Sequence, residues 1–195
     1  FMLKMKYQQF RKDKKNHYNM DIDLTKVFLE SFKKKRILGR YNVSEIWGIN
    51  NGYTAPQEYL SPKPTSLLEA LRMKEGTLKH LLVGECLERI GWEIEKKIEY
   101  PYKDIIIIGK ADGIKDDMVV EIKTSDKIIA QAKRWHIDQL KFYLSMFQKP
   151  TGIVFQPIKT ADKLFLKEIG QVKRGDMWFK NQLEKLYQFH QKLLN

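Results

Sequence analysis

The chain has 195 residues, 43% of them hydrophobic, which suits one folded domain with a real core and is too apolar for a disordered chain. Lysine and arginine exceed aspartate and glutamate by 36 − 24 = 12, a balance that favours polyanionic partners: DNA, RNA or an anionic membrane. The single cysteine, Cys86, excludes an internal disulfide and a cysteine-rich metal cage, and no apolar run reaches the ~18–20 residues of a membrane span.

Residues 1–20 are basic and aromatic, with Lys4, Lys6, Arg11, Lys12, Lys14 and Lys15, and read as a mobile arm or a loosely packed first helix. No continuous apolar core of the kind a secretory leader needs is visible there, so a cytoplasmic location is expected, or the host cell interior for a viral protein. Leu24, Val27, Phe28, Ser31 and Phe32 recur at helical spacing over residues 23–35, with Asp21 or Asp23 as cap. The run Lys33-Lys34-Lys35-Arg36 suits the end of that helix and is also a candidate phosphate contact. Val43-Ser44-Glu45-Ile46-Trp47 begins a short helix, followed by a loop punctuated by Asn51-Gly52, Pro56, Pro62 and Pro64. Residues 66–90 predict a long helix, with a break near Gly76. Its apolar face is assigned to Leu67, Leu68, Leu71, Leu78, Leu81, Leu82 and Leu87, Cys86 is expected to be buried on it, and Gly91 ends it.

The pattern then changes. Alternation from Trp92 to Tyr100 predicts a strand, Pro101-Tyr102-Lys103-Asp104 a turn, and the run Ile105–Ile108 a strand covered on both faces. Met118–Lys123 is a third strand and residues 131–147 a helix. Ile153-Val154-Phe155 and Leu164-Phe165-Leu166 are two further strands, and residues 175–194 a closing amphipathic helix. Helices, a three-strand meander, a helix, two strands and a helix make an α/β sandwich around a mixed sheet. Residues 1–40 are a basic arm and helix, and 41–195 the main domain.

The chemistry is concentrated in GKADGI, VVEIKTS and HIDQLKFY, between Gly109 and Tyr143. Phosphodiester hydrolysis needs a metal to polarise the phosphate, an activated water and stabilised leaving-group charge. Hard divalent cations such as Mg²⁺ take oxygen ligands, which Asp112 and Glu121 supply from neighbouring strands. Glu121 and Lys123 are two apart, so on a strand they share one face, while Ile122 points into the core. Lys123 can then hold or activate the water. Gln139 and Tyr143 are four apart and share a helix face, from which Gln139 can fix a ligand and Tyr143 can touch phosphate or orient Lys123. His80, on the upstream helix, can complete a metal shell, and an imidazole fits Mn²⁺ at least as well as Mg²⁺.

Taken together these residues resemble a PD-(D/E)xK nuclease of the RecB-like branch, similar to the compact CRISPR-associated exonucleases and their viral relatives. The resemblance rests on GTLKH (Gly76–His80), GKADG (Gly109–Gly113), EIK (Glu121–Lys123) and QLKFY (Gln139–Tyr143), and extends over about residues 41–160. It implies a restriction-endonuclease-like mixed central sheet flanked by helices. It also implies Mg²⁺ or Mn²⁺ held by His80, Asp112, Glu121 and the Ile122 carbonyl, with Lys123 as the catalytic lysine and Gln139 and Tyr143 in support. Many members of this branch hold an iron–sulfur cluster with four cysteines, one near the opening helix and three near the C-terminus. Those regions have none here, so no iron–sulfur cluster is expected.

The expected function is a metal-dependent DNA nuclease acting on single strands or duplex ends. Tyr7, Phe10, Tyr41, Trp47, Tyr53, Tyr59 and Trp135, interleaved with basic residues, are candidates to stack unpaired bases. The alternatives are a non-catalytic nucleic-acid-binding protein and an adaptor subunit of a recombination or defence complex. No sequence signature of an RNA-binding module is visible. The C-terminal helix packs on the sheet or serves as a contact with a second copy or another protein.

Overall fold

The computed structural model describes residues 24–32, 36–60 and 65–195. These fall into two units. The first contributes helix α1 (Leu24–Glu30), after which Ser31 donates its hydroxyl proton to the Phe28 carbonyl at 2.6 Å. The proposed arm, the caps Asp21 and Asp23, and Lys33 to Lys35 lie outside the described residues.

The second unit is built on one six-stranded mixed sheet. Its axis is β3 (Ile105–Lys115), whose first residues alternate buried and half-buried. Strand β2 (Glu93–Tyr102) pairs antiparallel along one edge of β3, from Glu93 opposite Ile114 to Tyr102 opposite Ile105. Two strands share the other edge. β1 (Arg40–Asn42) runs parallel to Ile106–Ile108, and β4 (Met118–Ile122) antiparallel to Gly113–Lys115. Residues 109–112 of β3 therefore face a gap between β1 and β4. The parallel pair β4–β5 (Thr151–Lys159) and the antiparallel hairpin to β6 (Leu164–Lys173) complete the sheet.

The strands run longer than the sequence suggests. Pro101 and Tyr102 belong to β2, and the turn is Lys103-Asp104 alone, with Lys103 at φ 53°. Pro157 lies inside β5. β1 was not predicted: three residues are too few to display an alternation. It ends directly in helix α2 (Val43–Asn50), which is followed by the short α3 (Pro56–Leu60). Arg36 donates to the Tyr59 carbonyl at 2.7 Å and to Glu45 at 3.0 Å, so this member of the basic run holds the protein together and is not a free phosphate contact.

Helix α4 (Leu67–Arg89) covers one face of the sheet, where Val83 and Leu87 pack on Val120 and Ile122. Its start is a capping box. The Glu69 amide donates to the Ser66 hydroxyl at 3.3 Å, and the Ser66 amide donates to the Glu69 carboxylate at 3.0 Å. Gly91, at φ 88°, terminates it. The helix is unbroken through Gly76, and its buried face is not the leucine stripe. Leu67, Leu68, Leu71, Leu78, Leu81 and Leu82 are exposed, and Cys86 is exposed as well. At 3.6 residues per turn, Gly76, His80, Val83 and Leu87 form one line facing the sheet, and most of the leucines fall on the opposite side.

The other face carries the larger core, formed by α2, α5 (Arg134–Met146) and α6 (Asp176–Leu194). Phe179, Leu183, Leu186 and Phe189 bury the apolar side of α6 in it. Among the described residues no helix is long and apolar enough to cross a membrane.

Candidate active site

The gap between β1 and β4 organises the site. The β3–β4 ladder stops at Gly113 opposite Val120. Beyond it the Ile122 amide donates to the Asp112 carboxylate at 2.7 Å instead of to a strand carbonyl. The β2–β3 register also omits the pair Glu95–Asp112, and Glu95 takes a positive φ of 52°. Asp112 is thus inside a strand, not a turn residue, at a point where the ladder is irregular on both edges.

Strand alternation sets the rest. Val120 and Ile122 point toward α4, and Val119 joins the core on the α5 side. Glu121 and Lys123 share the face of Val119. The Lys123 amide extends the β4–β5 pairing by donating to the Phe155 carbonyl at 2.8 Å, so its side chain keeps the strand's direction. On that face the Lys123 ammonium binds the Glu121 carboxylate and donates to Gln139 Oε1 at 3.1 Å. Gln139 Nε2 in turn donates to the Tyr143 hydroxyl at 3.1 Å. The amide is satisfied at both ends, oxygen toward the cation and nitrogen toward the phenol.

Two glycines of the sequence motifs allow these approaches. A Cβ at Gly109 would lie 3.0 Å from Tyr143 Cε1, so the aromatic ring rests on β3 where no side chain intervenes. A Cβ at Gly76 would lie 3.3 Å from Thr124 Oγ1, so α4 passes close to the end of β4. One helical turn later His80 Nδ1 lies 3.4 Å from Asp112 Oδ1. The predicted residues thus form two groups: His80 with Asp112, and Glu121 with Lys123, Gln139 and Tyr143. They meet at Ile122, whose amide binds Asp112 and whose neighbours are Glu121 and Lys123.

The electrostatics of the centre are those of a carboxylate lacking enough positive charge. Glu121 is 2% exposed, and its Oε2 is buried with no hydrogen-bond partner. Burial, and then the charge of Asp112, push its pKa up to about 7 against the opposing pull of Lys123. Burial, and then the Glu121 charge, also raise the Tyr143 phenol, which stays neutral as a hydrogen-bonding group. Among the described residues no three His, Cys, Asp or Glu side chains are grouped so as to hold a metal ion by themselves. The donor set nevertheless fits a hard divalent cation. Asp112 stands at the irregularity with an imidazole 3.4 Å away, and Glu121, beside Ile122 whose amide binds Asp112, has a buried oxygen without a partner.

His136 was not assigned a role from the sequence. It precedes Gln139 by about one helical turn, the spacing by which the sequence could have shown it. Burial, and then the nearby Lys123 and Lys133 charges, lower its pKa to about 4, and Nδ1 is buried without a partner.

The aromatic candidates divide. Tyr41 and Tyr59 are core residues, their hydroxyls bound to His190 at 2.8 Å and to the Arg40 carbonyl at 3.1 Å, and neither is available to a base. Trp47, Tyr53 and Trp135 form a cluster at the surface. Tyr7 and Phe10 lie outside the described residues.

No protein-family model matches the chain, and no curated protein matches it. Solved structures do. SSO0001 superposes with a TM-score of 0.58 at 22% identity, covering 83% of this chain and 81% of its own. The alkaline exonuclease LHK-Exo from Laribacter hongkongensis superposes with a TM-score of 0.56 at 16% identity, covering 87% of this chain and 92% of its own. The same enzyme in complex with dAMP gives a TM-score of 0.57 at 16% identity, covering 80% of this chain and 88% of its own. The fold is shared. The restriction-endonuclease-like arrangement expected from the sequence, a mixed central sheet flanked by helices, is the arrangement of this chain.

Proposed function

We propose that the protein is a metal-dependent DNA nuclease of the PD-(D/E)xK type and its RecB-like branch, hydrolysing phosphodiester bonds on single strands or duplex ends with Mg²⁺ or Mn²⁺. The observation that carries this reading is Glu121: a buried carboxylate with one oxygen lacking a partner, beside Asp112 and bound through its other oxygen to Lys123. The net charge of +12 and the shared fold with an alkaline exonuclease support the same reading.

His80, Asp112, Glu121 and the Ile122 carbonyl are the residues that would hold the metal. A bound divalent cation supplies Lewis-acid polarisation of the phosphate and a water of lowered pKa. The chain's own residues do the rest. The Asp112 carboxylate is oriented by the Ile122 amide on one oxygen, with the His80 imidazole 3.4 Å from the other. The Lys123 ammonium stands ready to hold the attacking water and to offset charge that develops on the phosphate. Gln139 keeps that ammonium in place, and Tyr143, kept neutral, braces Gln139.

The test is cleavage of end-labelled single-stranded, duplex and circular DNA in Mg²⁺, Mn²⁺ or EDTA, with the wild type beside Lys123→Ala. Metal-dependent cutting that disappears in the variant is the expected result, with the circular substrate separating end-dependent from internal action. Cutting by Lys123→Ala at the wild-type rate would remove Lys123 from the site, and no cutting with any metal would remove the nuclease assignment.

A further inference from the structure

The cluster of Trp47, Tyr53 and Trp135 is not used by the chemistry described above. Trp47 and Tyr53 stack nearly parallel, with centroids 5.0 Å apart and planes 14° apart. Trp135 leans on Trp47 at 5.5 Å and 50°. A core cluster would be covered, but here the outer members are open: Tyr53 is 71% exposed and Trp135 40% exposed. Three large aromatic rings at the surface, two of them well exposed, are a poor solution for stability alone.

Exposed cations border them. The Lys133 ammonium lies 4.7 Å from the Trp135 ring centroid, and the neighbouring Arg134 side chain, 3.7 Å from the largely buried Asp138 carboxylate, is 81% exposed. Rings bordered by cations match a ligand with flat faces on an anionic backbone. Trp135 is also four residues before Gln139 on α5, so the two share a helix face about 6 Å apart along the axis. Gln139 holds the Lys123 ammonium. A strand whose phosphate lies at Lys123 therefore meets the face of α5 that also carries Trp135.

We infer that Trp47, Tyr53 and Trp135 form a stacking platform for an unpaired nucleobase of the nucleic-acid strand entering the site, with Lys133 and Arg134 holding its phosphates. The nature of the ligand rests on the nuclease reading, but base stacking can be measured without cleavage.

The experiment is fluorescence anisotropy in EDTA with a short oligothymidylate and an abasic strand of the same length and charge. The wild type is expected to bind the thymidylate roughly tenfold more tightly than the abasic strand, the ratio one stacked base provides. Tyr53→Ala and Trp135→Ala should bring that ratio toward one, and Trp135→Phe should largely keep it. Tyr53 is exposed enough that its replacement leaves the fold intact, so this variant reads the platform even if Trp135→Ala is poorly folded. A wild-type ratio near one, or a ratio unchanged in Tyr53→Ala, overturns the inference. So does a change of sedimentation in these variants with the ratio unchanged, since the cluster would then cover a protein surface. Metal-dependent cleavage without base preference would sink the platform and keep the nuclease. Base preference without cleavage would do the reverse.

Discussion

Lys123 and Gln139, sixteen residues apart on different elements, meet at 3.1 Å between ammonium and amide oxygen. Lys123 also binds Glu121, so its cation has a carboxylate on one side and a neutral amide on the other. The amide does not compete for the charge; it sets direction. Gln139→Leu keeps the volume on α5 and removes that restraint. Turnover is expected to fall about 10–100-fold, the usual cost of losing a supporting hydrogen bond to a catalytic group. KM for DNA should change little, because Gln139 acts through Lys123. Steady-state kinetics separate the two parameters, and an effect confined to KM would place Gln139 on the substrate instead.

Glu121 makes a prediction about the metal-free protein. Its folded pKa, about 7, lies above the ordinary 4.5. Below about pH 4.5 both folded and unfolded chains carry the proton on this group, and the carboxyl costs nothing. Between 4.5 and 7 the folded state holds a proton that the unfolded state has lost, so stability falls as the pH rises, and above 7 the penalty is complete. Glu121→Gln removes the ionisation. Without metal at pH 8 the variant should be more stable than the wild type, by at most about 3 kcal/mol, with Lys123's lost partner reducing the gain. The advantage should vanish near pH 4. Thermal melts in EDTA at the two pH values measure both. A variant less stable at pH 8 would mean that the ion pair with Lys123 outweighs the burial of the charge.

The site was more legible in the sequence than the surfaces around it. Glu121 and Lys123 are two apart and Gln139 and Tyr143 four apart, spacings that survive folding because strand alternation and helical turns fix them locally. The α4 leucines did not survive. Their spacing is helical, but spacing identifies only a stripe, and which stripe meets the sheet was decided by Gly76 and Gly84, where small residues let the helix approach. A Cβ on Gly84 would lie 3.1 Å from Ile94 Cγ2. Leu78 is consequently 61% exposed, while Leu87 is 6% exposed. β1 escaped because its partner, Ile106–Ile108, is distant in sequence and three residues show no pattern. The two-part grouping of the site was equally invisible, since it depends on the ladder ending at Gly113.

Gly109 tests the packing of Tyr143. An added methyl would meet the Tyr143 ring at 3.0 Å, Ile98 Cγ2 at 3.2 Å and the Met146 methyl at 3.3 Å. Tyr143 and Met146 lie on α5, so the helix and strand must separate or the ring must rotate. Gly109→Ala is expected to cost about 1–3 kcal/mol, the range of a small overpacking. It should also lower turnover, because the Gln139 brace moves with the ring. Urea denaturation with a parallel activity assay checks both, and a fully stable, fully active variant would show that the ring yields freely.

His80 is the one nitrogen donor proposed for the metal, and this gives it a signature distinct from the carboxylates. Its Nδ1 is 3.4 Å from Asp112 Oδ1, and its side chain is 29% exposed, so replacing it disturbs little of the core. An imidazole contributes more to the binding of Mn²⁺ than of Mg²⁺, which prefers oxygen. His80→Ala should therefore lose activity with both metals and lose more with Mn²⁺, so that the Mn²⁺ to Mg²⁺ activity ratio falls several-fold. A role limited to orienting Asp112 predicts another pattern, in which both activities fall equally and the ratio holds. Titrating each metal against wild type and variant at fixed DNA separates the two, and a ratio that does not move would take His80 out of the metal shell and leave it as the positioning partner of Asp112.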